Sequence, residues 1–150
     1  MLHPKTSLDR RHCLTHLGLG AVALLGTSQA LAAPETLSQA DLVSRSFSAN
    51  GIDVTLPPLA DNGNAIPLQF TLQAPAGEQW MGFDIIAPEN PNRVILKFKL
   101  GQPQARLTFS TRIRLAMSQE VWVLAHLSNG KTLGRSAHTV VTATACFDET

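Results

Sequence analysis

Apolar and polar residues alternate with a period of two along much of the chain from Ile52 onward. The stretch 66–72 places an apolar residue at almost every second position, with polar residues between them. The stretches 94–100, 107–115 and 121–127 repeat this alternation. Successive side chains of a strand point to opposite faces, so this period predicts β-strands with one buried face each.

Turn signals separate these stretches and add two more predicted strands. The run 80–86 is more continuously apolar and ends at the proline-rich turn 88–92. A last strand is predicted at 132–144. The pair Asn129-Gly130 before it predicts a type I′ hairpin turn, because both residues tolerate positive φ.

The whole pattern comprises about seven strands spaced about 8–12 residues apart, without a long helix. It predicts an all-β protein, an immunoglobulin-like antiparallel β-sandwich. The Cys…Trp…Cys spacing of antibody domains is missing. "Immunoglobulin-like" therefore describes the architecture alone.

The first 32 residues have the pattern of an export signal. Lys5, Arg10 and Arg11 form a basic region, and an apolar stretch at 17–25 follows it. That stretch is too short for a membrane anchor, and the small residues around Ala32 suit signal peptidase. The arginine pair and the glycine-interrupted apolar stretch favour a twin-arginine signal over an ordinary secretory one. A periplasmic location is therefore predicted.

The rest of the chain divides into three predicted parts. Residues 33–50 form a polar segment with a short helical pattern at 38–46, compatible with either a disordered leader or a partner-binding arm. Residues 51–144 form the sandwich, and residues 145–150 form a tail.

Charge and composition exclude several classes of partner. The formal net charge is +1, only 15% of the residues are charged, and Tyr is absent. Nucleic-acid binding needs basic surfaces or aromatic stacking platforms, so we expect no nucleic-acid partner. No apolar run after the signal is long enough for a membrane span, so none is expected in the mature chain.

The two cysteines have different expected fates. Cys13 lies within the predicted signal and leaves with it, whereas Cys146 lies just past the last predicted strand. A mature chain with one cysteine cannot form an internal disulfide, so Cys146 is a candidate reactive thiol or intermolecular link. The alternative is a small apolar residue that covers one end of the sandwich.

Three stretches together resemble the SoxY family of sulfur carriers. The first is the segment 66–86, in which two apolar strands joined by a proline-containing turn lead to the Ala-Pro-Glu-Asn-Pro turn at 87–91. The second is the run Leu-Thr-Phe-Ser-Thr-Arg-Ile-Arg-Leu-Ala at 107–116, and the third is the strand at 121–130 with its closing strand and terminal cysteine. The Ser-Thr-Arg-Ile-Arg-Leu run is the most specific of these. The resemblance extends over nearly all of the predicted mature chain, and the export signal agrees with it.

The resemblance implies a carrier for thiosulfate oxidation that works in the periplasm. Such proteins are not enzymes and need no cofactor; they pair with a SoxZ-like subunit and present sulfur to sulfur-oxidising enzymes. Their sulfur is held on a cysteine within a Gly-Gly-Cys-Gly-Gly arm, which implies that Cys146 is the covalent attachment site. The glycines are not kept, since the neighbouring positions are occupied by Thr144, Ala145, Phe147 and Asp148.

Three residues are candidates for partner docking. Arg112 and Arg114 lie two apart on a predicted strand, hence on one face, where they meet either an acidic partner or solvent. Trp122 lies on the face opposite Val121 and Val123. Since both faces of that strand are apolar, it is either covered by a partner chain or central in the sandwich.

Two other functions compete with the carrier. A cysteine enzyme would pair Cys146 with His126 or His138, but no Cys-His signature is present and a tail preorganises a catalytic pair poorly. No cluster of metal ligands is present either, so no metal site is predicted. The remaining alternative is a non-catalytic periplasmic binding or assembly module in which Cys146 is incidental.

Overall fold

The structure is a computed structural model that describes residues 37–145 of the 150-residue chain. The predictions for the export signal and for Cys146 fall outside the described residues. The elements in chain order are α1 (Gln39–Ser44), β1 (Ile52–Thr55), β2 (Leu59–Ala60), β3 (Ile66–Gln73), β4 (Trp80–Ile86), β5 (Val94–Gln104), β6 (Arg106–Ile113), β7 (Gln119–Leu127) and β8 (Thr132–Val141).

The strands form two sheets. The three-stranded sheet has the order β1-β3-β6, and the five-stranded sheet has the order β2-β8-β7-β4-β5. All pairs are antiparallel except β2 with β8. The predicted all-β sandwich is confirmed. The structure has eight strands where about seven were expected, and the additional one is the two-residue β2.

The core lies between the two sheets and follows the predicted alternation. In β3 every second residue from Ile66 to Leu72 is buried, while the residues between them are mostly exposed. Phe70 of β3 meets Phe83 of β4 edge-on, with ring centroids 4.9 Å apart. Phe109 of β6 also packs against Phe83 at 4.9 Å. Aromatic contacts in these geometries add stability beyond the area that they bury.

The outer face of the five-stranded sheet carries a second apolar cluster. Residues 37–48 are here called the N-terminal segment. Its Leu37, Leu42 and Phe47 pack against Trp122 and the apolar residues beside it. The rings of Phe47 and Trp122 lie edge-on at 6.2 Å. Gly134 of β8 permits this close approach, because a Cβ there would lie 2.9 Å from the Cβ of Phe47.

Helix α1 holds the N-terminal segment in place and confirms the short helix predicted at 38–46. The Ser38 hydroxyl accepts a hydrogen bond from the backbone N–H of Asp41 at 3.2 Å, and the Asp41 carboxylate accepts one from the Ser38 N–H at 2.9 Å. The Ser38 hydroxyl also donates to that carboxylate, and these bonds to the charged form lower the pKa of Asp41. A six-residue helix is too short to persist alone, so its packing on the sheet stabilises it.

The hairpin between β7 and β8 is present, but the predicted type I′ turn is wrong. Of the pair Asn129-Gly130, only Gly130 has a positive φ, of 82°. The Asn129 side chain donates a hydrogen bond to the Glu78 carboxylate at 2.8 Å and accepts one from the Lys131 N–H at 2.9 Å. Four residues thus connect the strands, a length usually built around a type I turn.

Replacing Leu42 by alanine is expected to destabilise the chain by about 2–4 kcal/mol, because the side chain is fully buried against the sheet. The matched control is Val43→Ala, since Val43 of the same helix is 56% exposed and should change stability by less than about 0.5 kcal/mol. Urea unfolding measures both. Equal losses for the two variants would contradict the packing of α1 on the sheet.

Candidate functional site

The last described residue, Ala145, directly precedes the candidate attachment residue Cys146. Ala145 is held by a junction of three chain segments, which we call the arm base: Gly63, Leu115, Ala143 and Ala145. Ala145 is 8% exposed and Leu115 is fully buried. The chain is therefore anchored up to the residue before Cys146.

Three backbone hydrogen bonds join the segments of the arm base. Gly63 donates its N–H to the carbonyl oxygen of Ala143 at 2.7 Å, and its own carbonyl oxygen accepts from Leu115 at 2.9 Å. Ala145 donates to the carbonyl oxygen of Leu115 at 3.2 Å. Buried backbone groups need such partners, so the bonds fix the path of the chain here.

Glycine is required at position 63 by the closeness of these segments. A Cβ at Gly63 would lie 2.6 Å from the carbonyl oxygen of Leu115 and 2.7 Å from the backbone nitrogen of Ala145. Both are backbone atoms, which cannot swing aside as a flexible side chain does. A larger residue at position 63 must therefore push the arm base apart.

Asn90 clamps the segment on both sides of Leu115. Its side-chain amide donates to the carbonyl oxygen of Arg114 at 2.8 Å, and its side-chain oxygen accepts from the N–H of Ala116 at 2.9 Å. Gln119 donates to the same oxygen at 2.9 Å and accepts from the N–H of Glu89 at 2.9 Å. Asn90 and Gln119 are themselves buried, so the turn at 87–91 serves as a support for the arm base.

The two candidate docking arginines lie beside the arm base. Arg112 is near the end of β6, opposite Pro67, and Arg114 follows the strand by one residue. Both side chains are exposed. Within residues 37–145, neither guanidinium takes part in a hydrogen bond or an ion pair with another residue. The shared face predicted for them therefore carries charge toward solvent, and their docking role stays a prediction.

Trp122 is covered by the chain itself. It is 8% exposed, and its indole N–H donates to the side-chain oxygen of Gln39 at 3.2 Å. Gln39 also donates to Glu120 at 2.9 Å. The N-terminal segment thus covers the apolar outer face for which a partner chain was one of the two predicted explanations. Docking through Trp122 would require this segment to be displaced.

A cluster of polar side chains lies on the outer face of the five-stranded sheet, beyond the part that the N-terminal segment covers. His126 of β7 contacts the Asp84 carboxylate through Nε2 at 3.1 Å and the Thr132 hydroxyl through Nδ1 at 3.0 Å. A groove of about 440 Å³ opens beside them, bordered also by Met81, Gly82, Lys97, Phe98 and Lys99.

The groove and the arm base lie at different ends of β7. His126 is near the end of the strand, whereas Gln119 at its start contacts Asn90 below the arm base. Seven residues of extended strand span roughly 23 Å. His126 is moreover engaged through both ring nitrogens. This placement does not favour pairing of His126 with Cys146 as nucleophile and base.

Residues 37–145 contain neither a cluster of metal ligands nor a helix of membrane-spanning length and polarity. No group of three or more His, Cys, Asp or Glu side chains there is arranged to hold a metal ion. In the same range, no helix is long and apolar enough to cross a bilayer.

Sequence reasoning did not find Gly63 or the role of Asn90. Asn90 was recognised only as part of a turn, although the Glu-Asn-Pro sequence of that turn belongs to the family resemblance. Gly63 lies in the polar stretch Asp61-Asn62-Gly63-Asn64, which is typical of any loop. Nothing in that pattern indicates contact with residues 50 or more positions away in the chain.

Replacing Gly63 by alanine is expected to lower the free energy of unfolding by about 1–3 kcal/mol, since the added Cβ overpacks the arm base. The amide of Ala145 should also exchange its hydrogen faster. The matched control is Gly101→Ala, because a Cβ at Gly101 meets no atom within 4 Å. Urea unfolding and amide hydrogen exchange are measured for both variants. Unchanged exchange at Ala145 in Gly63→Ala would show that the junction does not depend on Gly63.

One solved structure shares this fold, and others are more distantly similar. The structure of the sulfur carrier protein SoxY from Chlorobium limicola f thiosulfatophilum matches with a TM-score of 0.55 and 21% identity, covering 69% of this chain and 94% of that one. A superoxide reductase (neelaredoxin) from Ignicoccus hospitalis matches with a TM-score of 0.41 and 10% identity, covering 66% of this chain and 85% of that one. Among curated protein sequences, none matches the chain significantly.

The family comparison is more specific than the structural one. The family model described as "Sulfur oxidation protein SoxY" matches residues 38–146. The match covers well over half of the 150 residues and extends from the cap of α1 to the cysteine that follows the arm base. The chain therefore belongs to the SoxY family of sulfur oxidation proteins.

Proposed function

We propose that this protein is a periplasmic carrier that binds sulfur covalently on Cys146 and presents it to enzymes of thiosulfate oxidation. The observation that carries the proposal is the family match, which ends at Cys146 itself. The arm base supports it, because a carrier needs its attachment residue joined to a stable body. The chain supplies a handle and a docking surface, and the redox chemistry belongs to its partners.

The bond to sulfur forms with loss of two electrons. When the Cys146 thiolate joins thiosulfate, an S–S bond forms, an S-thiosulfonate results, and a partner oxidoreductase accepts the two electrons. A partner hydrolase then adds water, which releases sulfate and two protons and leaves a persulfide on Cys146. Covalent attachment keeps each intermediate at a high effective concentration and prevents its loss.

The residues around Cys146 differ from a glycine-rich arm in ways that affect presentation. Glycines give a thin, freely rotating arm that suits a narrow active site. Here Ala145 is buried in the arm base, and the bulky Phe147 follows the cysteine. The sulfur is thus offered close to the body, and the partner enzymes must approach the sandwich surface itself.

Partner docking in this proposal involves the exposed face of Arg112 and Arg114. Two guanidinium groups without a carboxylate partner among residues 37–145 suit an acidic rim around the active site of a partner enzyme. A SoxZ-like subunit is proposed as the stable partner, on the strength of family membership. It must bind elsewhere than on the part of the outer face that the N-terminal segment covers, or displace that segment.

Tetrathionate tests the carrier function directly without an added oxidant. The Cys146 thiolate attacks an inner sulfur, thiosulfate leaves, and the S-thiosulfonate remains on the protein. The folded chain with Cys13→Ser should therefore gain the mass of one thiosulfate-derived group, and a reductant should remove it. Intact mass spectrometry provides the measurement.

The matched control for this reaction is the variant that carries both Cys13→Ser and Cys146→Ser, which should gain no mass. If the thiol of Cys146 reacts only after the chain is unfolded, the carrier function is wrong. A binding or assembly module with an incidental cysteine then remains.

Export is a separate expectation. Cleavage after Ala32 should leave a mature chain that begins at Ala33, and Arg10→Lys with Arg11→Lys should block its appearance in the periplasm if the twin-arginine route is used. Cell fractionation with N-terminal sequencing measures both. Unchanged export of the double-lysine variant would indicate an ordinary secretory signal.

A further inference from the structure

We infer that the open side of β6 is a docking edge for an extended acidic segment of a partner protein. The segment adds to the three-stranded sheet as an antiparallel fourth strand. This inference rests on the docking role proposed for the face of Arg112, and it deepens that role by naming the chemistry of the partner and the mode of binding. It makes no use of Cys146.

Strand β6 is the last strand of its sheet. It pairs with β3 on one side, and no strand among residues 37–145 pairs with its other side. The backbone groups of an antiparallel strand point alternately to its two sides. Ala74 of the β3 segment donates to the carbonyl oxygen of Ala105, and Leu115 donates to that of Gly63, so the odd-numbered residues face β3. The backbone groups that point to the open side are those of Arg106, Thr108, Ser110 and Arg112.

The side chain of Asn90 shows how this side accepts a neighbour. Just past the end of β6, its amide donates to the carbonyl oxygen of Arg114 at 2.8 Å, and its oxygen accepts from the N–H of Ala116 at 2.9 Å. The backbone of an adjacent strand would supply the same donor and the same acceptor. The turn at 87–91 thus closes the edge beyond β6, and the open part runs from 106 to 112.

The outer face of the open edge is cationic at both ends. Arg106 and Arg112 are exposed, and neither guanidinium has a hydrogen bond or an ion pair with another residue in the range 37–145. The residues opposite them on β3, Gln73 and Pro67, are uncharged. Residues directly opposite each other on paired strands share a face, and opposite charges there stabilise the pair. A fitting strand therefore carries carboxylates at the two positions that meet these arginines.

The inner face at this edge is incompletely covered. Leu107 and Phe109 of β6 are half-buried. Phe98 of β5, whose ring centroid lies 6.0 Å from that of Phe109, is 41% exposed. Strand β5 is also the last strand of its sheet, so aromatic surface is exposed between two terminal strands. A fourth strand with apolar residues at its inward positions would cover that surface, so the partner segment alternates acidic or polar residues with apolar ones.

A second copy of this chain does not suit the edge. Two fully overlapping β6 strands, paired antiparallel around Phe109, would place Arg106 of each copy opposite Arg112 of the other. Like charges directly opposite each other destabilise a strand pair, and charged edges of this kind oppose self-association. The charge pattern therefore selects an acidic strand of a different protein.

The probe that tests this inference is the peptide acetyl-Glu-Val-Thr-Val-Thr-Val-Glu-amide, which has the required alternation and both carboxylates. The full chain should bind it at low salt, and a peptide with lysine in place of both glutamates should bind at least about tenfold more weakly. Amide hydrogen exchange, followed by NMR, locates the contact. Exchange at Thr108 and Ser110 should slow at saturating peptide, whereas exchange at Phe109, whose N–H already faces β3, should not change.

Charge variants of the protein test the two arginines. The double variant Arg106→Gln with Arg112→Gln should weaken peptide binding roughly fivefold, as expected for the loss of two cross-strand ion pairs. The matched control is Arg45→Gln with Lys131→Gln, which removes the same charge from exposed positions outside β6 and should leave the affinity nearly unchanged.

N-methylated peptides test the backbone bonds without altering the protein. Methylation of both threonines removes N–H groups that face β6 and should abolish binding, while methylation of the central valine, whose N–H faces away, should leave binding nearly unchanged.

The inference is overturned if the acidic peptide does not bind, or if the lysine peptide binds equally well. Equal effects of the two double variants, or of the two methylations, would overturn it as well. A dimer of the chain that Thr108→Pro dissociates would assign the edge to a second copy instead, since proline removes an N–H on the open side. None of these outcomes involves the thiol, so the tetrathionate reaction decides the carrier function independently.

Discussion

Burial of β7 on both of its faces organises this molecule. Its inward residues complete the core against the three-stranded sheet, and its outward Trp122 and Leu124 lie under the N-terminal segment. A strand that is apolar on both faces must be central, and β7 accordingly pairs with β4 and β8. Its first residue, Gln119, then reaches Asn90. The same strand therefore connects the hydrophobic core with the support of the arm base.

The alternation of apolar and polar residues predicted most of the strands, because each of these strands buries one face in a single core. It could not find β2, whose two residues pair with β8 in parallel and form no period. It also ended the fifth strand near Leu100, although β5 continues to Gln104. The added residues are exposed and give no apolar signal. At Asn129-Gly130 the hairpin was predicted correctly but its turn type was not, and the Asn129 side chain bonds to the distant Glu78, a contact that leaves no local pattern.

The candidate site was predictable only in part, for a related reason. Arg112 and Arg114 share a face as the strand period requires, and Cys146 stands out as the cysteine outside the predicted signal. Gly63 and Asn90 act through backbone groups that are far away in the sequence, and such contacts leave no pattern along the chain. Trp122 was recognised as lying on a second apolar face. That residues 37–48 would cover it depends on how a short capped helix docks, which composition does not reveal.

Under the proposed carrier function, the anchored arm base has a consequence for the rate at which sulfur passes to partner enzymes. A long flexible arm lets its end search a partner's active site after a loose encounter, whatever the orientation of the bodies. A cargo held next to its anchor gains little from such a search, so a productive collision requires the correct mutual orientation of both proteins. Association rates under that constraint depend strongly on long-range electrostatic steering. Turnover through such a carrier would then be limited by encounter and respond steeply to ionic strength.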